Sequence, residues 1–242
     1  MKGFFAGIFS YIRALKIISK HRLWSYFLLP GLISILLGGL IFSTAYGFSD
    51  DIGNLLVEWY PWEYGKVAIL EAGTWLSGLL IGALGLILYK NIVIMVAAPF
   101  MSPLSEKVEE IITGENYGSN FRARSFVRDL WRGVRIGIRN IVRELFFTGL
   151  LLIIGLFPLF TIFTPFLIFT IQAYYAGFGN MDYTLERHYN VRHSIDFGRD
   201  NRGLAIGNGS IFLLLLFTGI GFLIAPPLAT VAATLETVKR LD

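Results

Sequence analysis

The chain has 242 residues, 55% of them hydrophobic and 15% aromatic, with a mean hydropathy of +0.62 and no cysteine. That balance exceeds what a soluble domain of this length carries, and the missing cysteines exclude disulfides, thiolate metal sites and cysteine nucleophiles. The formal net charge of +4 is not a nucleic-acid footprint, because the cations are sorted along the chain by membrane side.

Residues 1–22 carry Lys2, Arg13, Lys16 and Lys20 spread along the segment, without the order of a cleavable signal. Phe5, Ile8, Ile12 and Leu15 recur at helical spacing, which predicts an amphipathic helix lying in the membrane interface and leading into the first span. Residues 23–49 contain no charge. A bilayer core of about 30 Å needs about 20 helical residues, so a first transmembrane helix is predicted over 24–48. The next loop holds Asp50, Asp51, Glu58 and Glu63 but only one cation, Lys66, together with Trp59, Tyr60, Trp62 and Tyr64, an aromatic cluster of the kind found at membrane interfaces. A second span is predicted over 74–98. Of 21 Lys and Arg, only Lys66 and Lys90 lie between the start of the first span and the end of the second. The positive-inside rule then places both termini and the region after Pro99 in the cytoplasm, with the acidic loop outside.

The stretch VIMVAAPFMSPLSEKVEE, residues 93–110, changes from lipid-compatible to water-compatible at Pro99 and Pro103. Pro99 can end the spanning helix. Ser102 is then the expected N-cap of a new helix, with Pro103 at its first position and Ser105 and Glu106 in its first turn. Free N–H groups and the positive dipole end at such a start form an anion site; the plainer reading is a capped helix start. Residues 101–144 are expected to form cytoplasmic amphipathic helices. Arg128, Arg132, Arg135, Arg139 and Arg143 fall on one stripe, with Val127, Leu130, Val134, Ile138 and Ile141 opposite. Such a helix can lie on anionic headgroups or form a vestibule that concentrates anions; Arg128, Arg132 and Arg135 are the vestibule candidates, with Lys90 on the pathway. Lys90 either snorkels to the interface or meets an anion or a partner acid. Asn91 and Gln172 are candidates for interhelical hydrogen bonds, and the GxxxG pattern at Gly78 and Gly82 permits close packing.

Two further uncharged runs, 145–179 and 203–235, have 35 and 33 residues. Each is too long for one span at 1.5 Å per residue and too short for two full spans with a turn. Pro158 and Pro165 interrupt the first, and Gly219, Gly221, Pro226 and Pro227 the second. Two re-entrant, half-penetrating helical hairpins satisfy these lengths, as would four complete but short helices. Residues 181–203 are read as a solvated loop that pairs its charges with the basic helix; His188 and His193, five apart, fit no metal motif. No phosphate-binding loop, nucleophile elbow, paired intramembrane carboxylates or histidine-rich cluster is present, so an enzyme is not expected, nor a cofactor or metal.

The segment Ala97, Ala98, Pro99, Phe100, Leu104 and Glu106 resembles the CysZ family of bacterial sulfate-uptake membrane proteins, in which Ala-Ala-Pro-Phe is followed by Asn-Gly-Leu-Leu-Ala-Glu. Lys16 to Ser19, Leu28 to Pro30, Asp182, Tyr183, Pro227, Ala229, Ala233 and Thr234 fit in order and spacing. The resemblance implies an all-α integral membrane fold with two long transmembrane helices and two half-penetrating hairpins. It also implies a homo-oligomer in the inner membrane that conducts sulfate inward for cysteine synthesis. The family's anion site joins the backbone after Pro-Phe to two arginines just before the first span; here those two positions are Trp24 and Ser25, with Arg22 and His21 adjacent. The candidate anion-binding residues are therefore Arg22, His21, Ser102, Leu104, Ser105 and Glu106. A membrane-shaping or assembly role, using amphipathic and half-inserted helices without transport, is the alternative.

Overall fold

The computed structural model describes residues 2–47, 66–115, 123–155, 157–218 and 221–241, and every element among them is helical. The acidic and aromatic loop expected on the outer side, and the packing of Gly78 and Gly82, lie outside the described residues. In chain order the helices are α1 (Lys2–Lys20), α2 (Ser25–Gly47), α3 (Lys66–Thr113), α4 (Ala123–Gly155), the one-turn α5 (Pro158–Thr161), α6 (Thr164–His188), α7 (Val191–Asp200), α8 (Arg202–Leu216) and α9 (Gly221–Thr237).

Helix α6 is the axis. From Gln172 to Leu185 nearly every residue is buried, and α3, α4, α8 and α9 pack around it. The closest crossing is with α8, where a Cβ on Gly209 would stand 1.8 Å from the Ala173 carbonyl and one on Gly177 1.9 Å from that of Ala205. Glycine is required there because the backbones themselves touch. On its other side α8 meets α1, whose inward face is small: Gly7, Ser10 and Ala14, with Tyr11 and Ile18. Tyr11 donates through its hydroxyl to the Asn208 carbonyl at 2.8 Å, and Asn208 in turn donates to the Ala229 carbonyl at 3.1 Å. The C-terminal turn is tied to α1 through Glu236, which pairs with Arg13, Lys239 and Arg240.

On α4 and α1 large apolar side chains point outward. On α4 the buried face is Ile136, Asn140, Glu144 and Thr148, while Trp131, Ile138, Val142, Phe146, Leu150 and Ile153 are exposed. On α1 the predicted apolar residues Phe5, Ile12 and Leu15, with Phe9, are likewise exposed. A water-soluble helix bundle would turn these stripes inward; here they face the solvent side in the way a lipid-facing surface does. Two stretches, residues 83–113 and 159–188, are long and apolar enough to cross a bilayer.

Three expectations are corrected. The helix does not restart at Ser102: α3 runs unbroken through Pro99 and Pro103 for 48 residues, about 72 Å at 1.5 Å per residue. Proline removes a donor, but neighbouring groups can re-satisfy the freed backbone in a packed membrane helix. The segment is held against α6, whose Tyr183 hydroxyl donates to the Ile94 carbonyl at 2.7 Å and whose Arg187 donates to Ser105 Oγ at 2.8 Å. The boundary expected near residue 144 is also absent, since α4 carries the basic segment directly into the apolar run. Finally, residues 181–203 are not a loop but the ends of α6 and α8 with α7 between them. The interruptions of the two long runs are real, although the second falls after Leu216 and leaves Pro226 and Pro227 inside α9.

Candidate functional site

The proline-bearing part of α3 lies against the C-terminal half of α6. Since α3 is continuous, its N–H groups are committed within the helix, and the free-donor site expected from Ser102 onward does not form. What stands there instead is a guanidinium. Arg187 of α6 donates through Nη1 to Ser105 Oγ and to the Tyr183 carbonyl, both at 2.8 Å. Through Nε and Nη2 it donates to Glu109 Oε2 at 3.0 and 2.5 Å. His188 meets the other carboxylate oxygen of Glu109 at 2.6 Å. Glu109 is buried, whereas the Arg187 and His188 side chains keep 16% and 26% of their surface exposed. The site therefore holds a positive charge at its rim and a buried carboxylate behind it.

The sequence candidates occupy different layers of this region. Ser105 is buried and donates to the Ser102 and Tyr183 carbonyls. Ser102 is buried with its hydroxyl unpartnered among the described protein groups. Leu104 is fully enclosed in the apolar core, and Glu106 is half-buried. His21 and Arg22 are exposed at the corner between α1 and α2, where Arg22 takes φ +55°, a left-handed conformation uncommon for a residue with a side chain. Glu109 and Arg187 were not singled out by the sequence, and His188 was weighed only as a metal ligand beside His193. Their signal was faint: a carboxylate one turn after Ser105, and an Arg-His pair in a stretch whose many charges resembled a solvated loop.

Two other buried polar centres flank the site. Lys90 and Glu144, both fully buried, form an ion pair between α3 and α4, and Asn91 donates to the free oxygen of Glu144 at 3.1 Å. Lys90 thus has a partner acid, and Asn91 makes an interhelical bond, as does Gln172 to the Ala83 carbonyl at 3.5 Å. Arg132 grips Asp182 in a two-pronged pair at 3.0 and 2.7 Å and also donates to the Tyr189 carbonyl and Ser194 hydroxyl. That pair fulfils the expected ion pairing between the basic helix and residues 181–203. Arg135 is exposed on α4; the Arg128 side chain lies outside the described residues. Between these centres, a cleft with room for about one water is lined by Ile94, Ala98, Gly133, Gly179, Asp182 and Glu186, among others.

Residues 10–227 match the family described as sulfate transporter CysZ/Etoposide-induced protein 2.4. That description is of a transporter-like family, and the match takes in α2, α3, α4, α6, α7 and α8 whole. With the two bilayer-length apolar helices and the outward apolar faces, it leads to one conclusion: the protein is a membrane protein belonging to the CysZ/Etoposide-induced protein 2.4 family.

Proposed function

We propose that the chain passes a small inorganic oxyanion, sulfate, across the bacterial inner membrane as a homo-oligomer, with both termini cytoplasmic. The observation that carries this reading is the Arg187 guanidinium at Ser102 and Ser105, a fixed positive charge at the segment where the family resemblance is densest. The arginine pair that the family places before the first span is Trp24 and Ser25 here. Arg187 takes over that electrostatic role, assisted by His21 and Arg22 at the exposed corner and by Arg128 and Arg135 as a vestibule. The unpartnered Ser102 hydroxyl is a donor for an arriving oxyanion, and Glu106 borders its path.

The same reading makes α4–α6 and α8–α9 half-penetrating hairpins. At 1.5 Å per residue, the 15 and 17 residues of α8 and α9 extend about 22 and 26 Å, short of the roughly 30 Å core.

The test is radiolabelled sulfate flux into liposomes containing the purified protein, with chloride and phosphate as competitors. Saturable sulfate uptake is expected. A charged hydrogen bond contributes about 1.5–3 kcal/mol, so Arg187→Gln should lower uptake about ten- to hundredfold, with Arg187→Lys intermediate. A Ser102→Ala, Glu106→Gln double variant should weaken sulfate competition. Absence of flux for every anion in folded protein refutes the proposal. Liposome remodelling without flux would instead favour a membrane-shaping role, for which the exposed Phe5, Phe9, Ile12 and Leu15 of α1 supply a wedge.

A further inference from the structure

Arg132 is the member of the basic stripe that is neutralised by Asp182. Its neighbours two and three turns further along α4, Arg139 and Arg143, have a different environment. Arg139 places its guanidinium over the Phe178 ring, 5.9 Å from the centroid, and donates to the Asn140 side-chain carbonyl at 3.0 Å. The same ring receives α7: a Cβ on Gly198 would stand 2.5 Å from Phe178 Cδ2. This close approach delivers Arg199, the next residue, to the Arg139 side of the bundle. Arg143, one turn beyond Arg139, is exposed. Arg139 lies within electrostatic reach of Arg143 and Arg199, and all three lie within reach of Tyr174, whose ring meets that of Tyr175 edge to face at 5.1 Å. Among the described residues no carboxylate forms an ion pair with Arg139 or Arg143, and Arg199 has only the loose, exposed contact with Asp196 at 3.7 Å. Burial, and then the like charge of Arg143, hold Arg139 below the ordinary arginine range.

Three like charges do not converge on one face without cost unless a counter-charge joins them. What borders them decides its nature. The next turns of α4 expose Phe146, Phe147 and Leu150, so the cations sit at the edge of the apolar exterior, with tyrosines at the join. Arginines, then tyrosines, then apolar side chains follow the order of a lipid from phosphate to acyl chain. A free oxyanion would use the guanidinium groups but not the apolar strip beside them.

We propose that Arg139, Arg143 and Arg199, with Tyr174 and Tyr175, form a binding site for the phosphodiester headgroup of an anionic phospholipid, whose chains lie along Phe146 and Leu150. This site is separate from Ser102 and Arg187 and stands whether or not the chain moves sulfate. Guanidinium supplies paired donors to phosphate oxygens, Tyr174 can add its hydroxyl, and the exposed phenylalanines take the first methylenes.

The experiment is native mass spectrometry of the delipidated full-length protein in detergent, titrated with phosphatidylglycerol, phosphatidylethanolamine or phosphatidylcholine. Phosphatidylglycerol should bind well above the other two. At about fivefold per arginine near an anionic surface, an Arg139→Gln, Arg143→Gln, Arg199→Gln variant should lose about a hundredfold of that affinity, roughly to the phosphatidylcholine level. A control with the same charge change on other exposed cations, Arg135→Gln, Arg192→Gln and Lys16→Gln, should keep most of it, and both variants must retain the parent's thermal unfolding midpoint. If the triple variant fails to fold, Arg143→Gln with Arg199→Gln, both on exposed side chains, should still show about a 25-fold loss. Equal binding of all three lipids, an equal loss in the control, or displacement of phosphatidylglycerol by millimolar inorganic sulfate or phosphate would each overturn the assignment, the last identifying a free-anion site.

Discussion

Removing one member of the Lys90–Glu144 pair should be among the most damaging single changes in the protein. Both side chains are fully buried, and they join α3 to α4 with Asn91 completing the carboxylate's second oxygen. Taking two charges out of water is costly, and their mutual attraction offsets that cost only while both are present. Lys90→Met leaves a buried carboxylate whose remaining partner is one amide, and Glu144→Leu leaves a buried ammonium with no acid. Each should cost about 3–5 kcal/mol, the range measured when a buried pair is broken from one side. The Lys90→Met, Glu144→Leu double variant removes the uncompensated charge and fills similar volume, so it should recover most of that loss and come within about 1–2 kcal/mol of the parent in either direction. Unfolding of the purified protein in mixed micelles, followed by tryptophan fluorescence against denaturant, gives the four corners of the cycle. The refuting result is additivity: two single losses below about 1 kcal/mol that simply sum in the double variant would mean that water or lipid headgroups reach these residues and the pair is not enclosed.

Three other outcomes follow from the same packing. Gly209→Ala places a Cβ 1.8 Å from the Ala173 carbonyl and should cost at least the 1–3 kcal/mol or so of an overpacked core. By contrast Gly39→Ala, with open space around it, should be neutral or stabilise by up to about 1 kcal/mol; thermal unfolding midpoints compare the two. Burial alone would raise the Glu236 carboxyl, but hydrogen bonds from Arg240 and Lys239 and the Arg13 charge outweigh it and hold the group below the usual carboxylate value. A depressed folded value means stability that is present above the unfolded value and lost as pH falls through the folded one; the midpoint gap between the parent and Glu236→Gln should therefore be full near neutrality and shrink as pH drops below about 4. The absence of native cysteine makes site-specific labelling clean. Phe160→Cys and Phe217→Cys, at the two hairpin turns, should resist a membrane-impermeant maleimide from both sides of a vesicle; labelling from the side opposite the termini would show that the hairpins cross completely.

Much of this architecture was legible because length and charge are hard constraints in a bilayer. An uncharged 35-residue run broken by Pro158 and Pro165 has few helical solutions, and the break indeed falls between Gly155 and Thr164. The prolines of α3 were misleading for a related reason. Proline's missing donor is a local property, but whether it ends a helix depends on tertiary packing, and here α6 lies along the proline segment, with Arg187 donating to the Ser102 carbonyl from 85 residues away. The basic stripe was legible as a stripe, yet its members divide by tertiary context: Arg132 is consumed by Asp182, and Arg139 rests on Phe178.

Under the proposed function, the relation between the proline segment and Arg187 gives a way for an oxyanion site to stand without the family's charged residues. An oxyanion site needs positive charge at one place, but electrostatics does not specify which helix supplies it. At positions matching the family's arginine pair the chain carries Trp24, which is exposed and tilted against Phe27 at 5.1 Å, and Ser25, so those two positions offer no charge. The guanidinium beside Ser102 and Ser105 comes instead from the end of α6, the buried axis of the bundle, and is held by Glu109 and the Tyr183 carbonyl as well as by Ser105. A cation fixed by a buried carboxylate is less free to follow a ligand than one on a surface corner. If Arg187 is the functional replacement, oxyanion selectivity in this chain should depend on Glu109 as strongly as on Arg187. Glu109→Gln would free the guanidinium while retaining hydrogen bonding, and should strengthen sulfate competition in the flux assay; weakened competition at unchanged fold would show that the Arg187–Glu109 pair is only a brace between α3 and α6.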